Sequence, residues 1–574
     1  MTTGDETSPR ILEQAARRAG LTIRTARYMH PAQIAHRIRL RAQKQAFAIL
    51  PPSATQRITR HVHDRYGWPM GFEPIDARID HGAPSPEANA AGEFKFINQT
   101  RTLQQGWEDP AADQLWRYNL HYMEWAWSFA NHPDREWAND AFLDLWRGWQ
   151  DGTRFGRWDA WSPYVASVRT WVMCGVFRPL VSGSAQESPF VESIALHAGY
   201  CAANLELDVG GNHLIKNLKA LIGAGVFLND EGLVARATKH LKRQIGVQIL
   251  SDGGHFERSP SYHCQVLQDL IEIHALLSRG GGSVAVLPDA ITKMRMWLGT
   301  MLHPDGDVPL FNDSVLVGRD RLAVLNPLEP PGRTLHLLQE SGYFVASVTP
   351  DVVLIGDIGP PCPDELPAHA HADCLSFEVS VGGRRTIVDT GTSTYNASSR
   401  RAYERSTAAH NTVEIDSQDQ TEVWGAFRAG ARATPTLIKA DGGIDEVVVT
   451  AEHDGYTRLP GSPKHRRTWT LTSDQLVVTD EIIGSGDHDI AWRCLAAPDT
   501  PASCQGSAAR IGPLVIALDS SATDEATFLC LMEQTVAFAF GESRATSSVE
   551  ARLTATLPAS IEAMINVEPE VEGA

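Results

Sequence analysis

The chain has 574 residues, 43% of them apolar and 21% charged, which is the balance of a folded globular protein. Single cores rarely grow beyond about 250–300 residues, so at least two domains are expected. A net charge of −18 makes nucleic acid a poor partner, because phosphate binding needs a basic surface.

The opening residues, MTTGDETSPRILEQAARRAG, are polar and lack the apolar core of a signal peptide. No run approaches the roughly 18 apolar residues that cross a bilayer, so no membrane span is expected. Eight cysteines (174, 201, 264, 362, 374, 494, 504 and 530) lie scattered without CxxC spacing, which argues against a disulfide framework or a cysteine zinc site. These features point to the cytoplasm, with the periplasm as the alternative.

Residues 1–90 read as a helical extension and connector. Arg37, Arg39, Arg41 and Lys44 sit in a helical-looking segment, and a Pro/Gly/Ala-rich stretch near 83–92 reads as the connector. Residues 91–332 read as a helical domain. LWRYNLHYMEWAWSFA, NHLIKNLKALIGAGVFL and SYHCQVLQDLIEIHALL place apolar residues at i, i+3/i+4 and i+7. Short Gly, Pro, Asn or Asp breaks separate the segments, a rhythm that suits an (α/α) toroid of helical hairpins. Eleven of the fifteen tryptophans lie between Trp68 and Trp171. Most should pack between helices, leaving some rings free to face a groove.

Over residues 333–574 period two replaces period 3.6. GYFVASV, DVVLIGD, LSFEVSVGGRRTIVDTG, HNTVEID, HRRTWTLTSDQLVVTDEI and GPLVIALD are β-rich runs bounded by Gly, Asp and Asn. The expected fold class is α+β and multidomain, a toroid followed by an antiparallel β-sandwich.

Several groups of residues carry chemistry. Gly210-Gly211-Asn212-His213 opens a helix. Asn212 is expected to cap it, and the positive helix end would welcome a carboxylate beside Asn212 and His213. In Asp252–His263, Ser259-Pro260 is an N-cap and N1 pair. Tyr262 then falls in the first turn, where the same field should favour its phenolate. In AHAHAD, an extended chain would put His369, His371 and Asp373 on one face. Asp389 ends RRTIVD, and His410 opens the strand HNTVEID. With His371 they would make a His/Asp/His zinc shell, a grouping that spacing alone does not establish. Tyr395 lies between them.

At these residues the sequence resembles the heparinase II/III family of polysaccharide lyases and the related alginate and oligoalginate lyases. The resemblance runs through NLHYMEWA, WSPYVASVRTW, GNHLIKNLKAL, DGGHFERSPSYH, HAHADCLSFEV, DTGTSTYNASSRRAYERSTAAHNTVEID, HDGYTRL and HRRTWTL, in the family's order, over most of residues 100–480. It implies a cleft between toroid and sandwich. It also implies that Asn212 and His213 neutralise a uronate carboxylate, that Tyr262 and His369 are catalytic, and that Tyr395 is a second cleft tyrosine. His371, Asp389 and His410 match metal positions where zinc is structural, although the histidine at the His410 position is also discussed as catalytic. A glutamate found in some members three residues after the His213 position is Lys216 here, which departs from the heparinase II pattern.

The implied activity is β-elimination from an acidic, uronate-containing glycan, with a homodimer allowed for. A base takes the C5 proton, donors stabilise the enolate-like state, and an acid serves the leaving oxygen. Two other readings stand beside it: a toroid glycoside hydrolase, which needs two facing carboxylates such as Glu257 and Asp252, and a non-catalytic glycan-binding protein in exopolysaccharide assembly.

Overall fold

The computed structural model describes residues 7–49, 55–79, 85–103, 106–157, 159–521 and 528–568. Residues 1–6 of the polar opening and residues 83–84 of the expected connector lie outside the described residues. The rest of that connector is partly ordered into a short helix, Pro86–Ala90, whose Ser85 hydroxyl accepts from the backbone of Ala88.

Helices come first. Thr7–Ala26 and Pro31–Ile49 are two successive helices. Farther on, Arg135–Gly152, Pro163–Leu180, Glu187–Ala203, Gly211–Leu228, Glu231–Gln248, Pro260–Arg279 and Leu287–Met301 follow one another as an incomplete (α/α) toroid. Pro163–Leu180 and Gly211–Leu228 bury residues on nearly every face, as helices enclosed by others must. The segment LWRYNLHYMEWAWSFA is not one helix. It breaks at Met123, whose φ is 62°, into Gln114–Tyr122 and Ala126–Ala130, because a left-handed residue cannot continue a right-handed turn.

The tryptophans mainly fill this core, as packing predicts. Trp68 and Trp171 lie 4.6 Å apart by ring centroid, and Trp107 stacks on Trp125 at 6.3 Å. Among the described residues no helix is long and apolar enough to cross a membrane.

From Leu335 onward the chain is mostly strand. A five-stranded antiparallel sheet runs Leu335–Leu338, Tyr343–Ala346, Val352–Asp357, Phe377–Val381 and Arg384–Ile387 in sequence order. A ten-stranded sheet is built around two long strands, Gln475–Leu495 and Arg544–Val567, paired antiparallel. Both sheets contribute to one core, where Phe344 of the first meets Trp469 of the second at 5.1 Å. This is a sandwich. Residues 310–314, Leu-Phe-Asn-Asp-Ser, link the two halves: the Asp313 N–H donates to the His369 carbonyl at 3.2 Å, and the Ser259 hydroxyl donates to the Asp313 carbonyl at 2.8 Å.

Candidate functional site

The site forms where the starts of two helices meet the loops of the sandwich. In the helix Gly211–Leu228 the cap position is Gly210, with φ 71°, and no side chain caps it. The expected capping by Asn212 is therefore corrected, since Asn212 lies inside the first turn. Its backbone N–H and Nδ2 instead donate to the two oxygens of Glu257, at 2.7 and 2.8 Å. A carboxylate is indeed held at this helix start, as the dipole and free N–H groups favour, but it belongs to the chain itself. A side chain at position 211 would stand in the way: a Cβ on Gly211, whose φ is +53°, would come 1.9 Å from Glu257 Oε1. Burial works against the charge on Glu257, yet His255, His369 and the Asn212 donors hold its pKa below the usual range.

His213 points elsewhere. Its Nδ1 is 3.1 Å from Glu206 Oε1, and its ring lies 4.4 Å from that of Tyr164. Burial lowers its pKa, but the Glu206 carboxylate outweighs that effect and leaves the imidazole above its ordinary value.

Tyr262 sits in the first turn of Pro260–Arg279, and its N–H donates to the Ser259 hydroxyl at 3.4 Å. Its phenol is 2.7 Å from the Tyr395 hydroxyl, and its ring lies 4.0 Å from that of His369. The expected phenolate is corrected. Burial, then the neighbouring Tyr395 and Asp313, push the phenol well above the usual tyrosine range, so the cost of desolvating an anion exceeds the help from the helix end.

The AHAHAD segment is not extended, and the strand that follows begins only at Phe377. His369 and His371 converge because both reach Asp313: His369 Nδ1 is 2.9 Å from Oδ2, and His371 Nε2 is 2.9 Å from Oδ1. Asp373 accepts from the Asn312 N–H at 3.2 Å. Asp313 also accepts from Thr392 Oγ1 at 3.1 Å and from both terminal nitrogens of the buried Arg401. Burial opposes its ionisation, but Arg401, His369 and His371 hold its carboxyl well below the usual range. An ionised carboxylate only accepts hydrogen bonds. His369 therefore donates from Nδ1 and His371 from Nε2. Nε2 of His369 faces Glu257 Oε2 at 3.6 Å.

Neither Asp313, Glu257 as a partner of Asn212, nor Arg401 stood out in the sequence. Asp313 looks like any loop aspartate after an apolar run, and only folding brings five donors to it.

His371, Asp389 and His410 lie together and buried, each offering one ligand atom within 4.8 Å of the others. Neither Asp389 nor His410 is in a strand: the strands end at Ile387 and begin at Val413. Nδ1 of His410 is 2.9 Å from Asp389 Oδ2. His371 Nδ1 and His410 Nε2 are both buried without a hydrogen-bond partner, which is rare for ring nitrogens unless something else takes their lone pairs. With Asp313 behind His371 as a supporting carboxylate, this donor set is able to hold a metal ion.

Asp252, the other carboxylate considered for hydrolysis, is committed to structure. It accepts from Ser341 N and Oγ at 2.7 and 2.9 Å and from Gly254 N at 2.9 Å. Lys216 pairs with the buried Asp269 at 2.7 Å, as does Lys219. Tyr395 lies in the wall of a cavity of about 190 Å3. That cavity shares Ile97 and Phe540 with a larger one of about 930 Å3, lined among others by Lys95, Asn119, Trp125 and Trp127.

Family models match most of the chain: Heparinase II/III N-terminus over residues 91–326, and Heparinase II/III-like, C-terminal, over residues 330–559. FtsZ-localized protein C of Caulobacter vibrioides is 26% identical over 63% of this chain and 64% of its own length. A heparin-sulfate lyase of Bacteroides thetaiotaomicron is 26% identical over 49% of this chain and 46% of its own. The chain spans less than two thirds of the length of these curated relatives. Among solved structures, heparinase III superposes with a TM-score of 0.69 at 20% identity, covering 83% of this chain and 81% of that one, a likeness of fold.

Proposed function

Because the chain belongs to the heparinase II/III family, we propose that it is a polysaccharide lyase that cleaves an acidic, uronate-containing glycan by β-elimination. The observation that carries this reading is the contact of Tyr262 from the helical half with Tyr395 and His369 from the sandwich half. In its neutral form, with the proton on Nδ1 toward Asp313, His369 takes the C5 proton on Nε2. The C–H electron pair becomes the C4–C5 double bond as the C4–O4 bond breaks. The Tyr262 phenol, kept protonated by burial, supplies the proton to the departing oxygen. Glu257 holds the Asn212 amide in place, and its remaining Nδ2 proton meets the substrate carboxylate, where charge develops, while His213 stays on Glu206. The larger cavity, with Trp125 and Trp127 in its wall, accommodates the sugars beyond the scissile bond.

His371, Asp389 and His410 fit a zinc ion by donor type and by their two unpartnered nitrogens. Bound there, zinc would tie the loops of the sandwich together as a structural element. Those loops in turn hold His369 through the shared Asp313.

The test is incubation of purified protein with a panel of uronate polymers while ultraviolet absorbance is followed. Growth of the 4,5-unsaturated product absorbance with at least one polymer is expected. New reducing ends without that absorbance would establish hydrolysis instead, and binding without either product would establish a non-catalytic role.

A further inference from the structure

The basic segment around Arg37, Arg39, Arg41 and Lys44 takes no part in the cleft. From Arg18 to Ile49 this helix pair carries seven Arg and Lys and no Asp or Glu, in a chain whose net charge is −18. One side of it is fastened to the body. Arg24 makes two 2.7 Å bonds to Glu422, Gln33 donates to the carbonyls of Asp208 and Glu365, and Gln43 donates to that of Ala203 at 2.9 Å. Phe47 is buried against Phe155 and Tyr200.

The opposite side of Pro31–Ile49 inverts the usual pattern. Helical periodicity sets Ile34, Ile38, Arg41, Gln45 and Ile49 on one stripe, away from Phe47. Ile34, Ile38 and Ile49 are 42%, 64% and 77% exposed. Arg39 and Lys44 lie on its flanks, and among the described residues neither they nor Arg41 has a carboxylate partner. Ile23, on the preceding helix, is 59% exposed as well.

We propose that this outer face rests on an anionic lipid surface, with the isoleucines entering the boundary between headgroups and acyl chains and the cations pairing with lipid phosphates. Apolar side chains along the centre with cations alongside are the pattern of a helix lying in a membrane interface. A polyanionic glycan would answer the charge but offers no apolar phase for three isoleucines. The inference is independent of the chemistry in the cleft.

Co-sedimentation of the full-length protein with vesicles tests it, comparing phosphatidylcholine alone with vesicles that are roughly a third phosphatidylglycerol. Binding to the anionic vesicles only is expected. It should weaken about ten-fold or more in Ile34→Asp/Ile38→Asp, in Arg39→Glu/Arg41→Glu, and in salt of about 0.5 M. All four positions are exposed, and circular dichroism matching the parent shows that both variants fold. Failure of the parent to bind anionic vesicles would overturn the proposal, as would full binding by the isoleucine variant. It is equally overturned if vesicles are ignored while heparin or alginate is retained through the arginines alone, or if both variants abolish self-association of a protein that ignores vesicles.

Discussion

Replacing Asp313 by Asn tests the organisation of the site most severely. The side chain is buried and accepts from His369, His371, Thr392 and both terminal nitrogens of Arg401. Asn keeps the size, but it removes the charge and turns one oxygen into a donor facing other donors. Arg401, 1% exposed, is then a buried cation without its anion. Breaking such a pair costs about 3–5 kcal/mol, to be read from the urea midpoint of the sandwich half. His369 also loses the acceptor that keeps its proton on Nδ1, and a wrongly protonated imidazole costs about 10³–10⁴-fold in rate where it serves as base. The two effects separate by pH. The folded carboxyl lies well below its unfolded value of about 3.9. Its contribution is thus complete above about pH 4 and is lost as pH falls toward the lowered folded value. The parent should therefore lose stability on acidification more steeply than Asp313→Asn, with the two converging at the acid end. A variant with the parent's urea midpoint and the parent's elimination rate would refute the assignment of Asp313 as the shared anchor.

Three further outcomes are expected. Tyr262→Phe should keep the fold, at a cost of about 0.5–1.5 kcal/mol for its hydrogen bond to Tyr395, and lose about 10²–10⁴-fold in elimination; circular dichroism and product absorbance decide, and full activity removes Tyr262 from the chemistry. Gly211→Ala should destabilise by about 2–4 kcal/mol, because the new Cβ would meet Glu257 at a positive φ; an unchanged thermal midpoint would show that the cradle gives way easily. Elemental analysis should find one zinc per chain, and chelation should lower the melting temperature of the sandwich half; a purified protein without stoichiometric metal removes the zinc assignment.

The architecture was legible because periodicity reports burial. Apolar residues at helical spacing built Gly211–Leu228 and Pro260–Arg279, and alternation built the sandwich strands. The failures are local and share a cause. Asn212 has the chemistry of a cap, yet Gly210 takes that position and Glu257, 45 residues on, supplies the carboxylate. Tyr262 does stand at a helix start, but sequence does not show how deeply the phenol is buried. Alternation puts His369 and His371 on one strand face, but the strand begins only at Phe377. They come together through Asp313, whose loop carries no periodic signal. Short-range rules see caps and faces, whereas a partner contributed from far along the chain is invisible to them.

Asp313 also joins the cleft and the candidate metal position into one device. One oxygen faces His369, against which the Tyr262 ring packs, and the other faces His371, whose remaining nitrogen points at the Asp389 and His410 group. Any shift of the sandwich loops that moves His371 drags the carboxylate, and with it the imidazole beside Tyr262. The Asp313 backbone is fastened to the helical half in turn, since its carbonyl accepts from Ser259, the cap of the Tyr262 helix. Tyr262 and His369 are thereby positioned from the same residue, Tyr262 through the main chain and His369 through the side chain. A loss of metal should consequently disturb His369 more than Tyr262, because only the side-chain route passes through the histidine that would hold the ion.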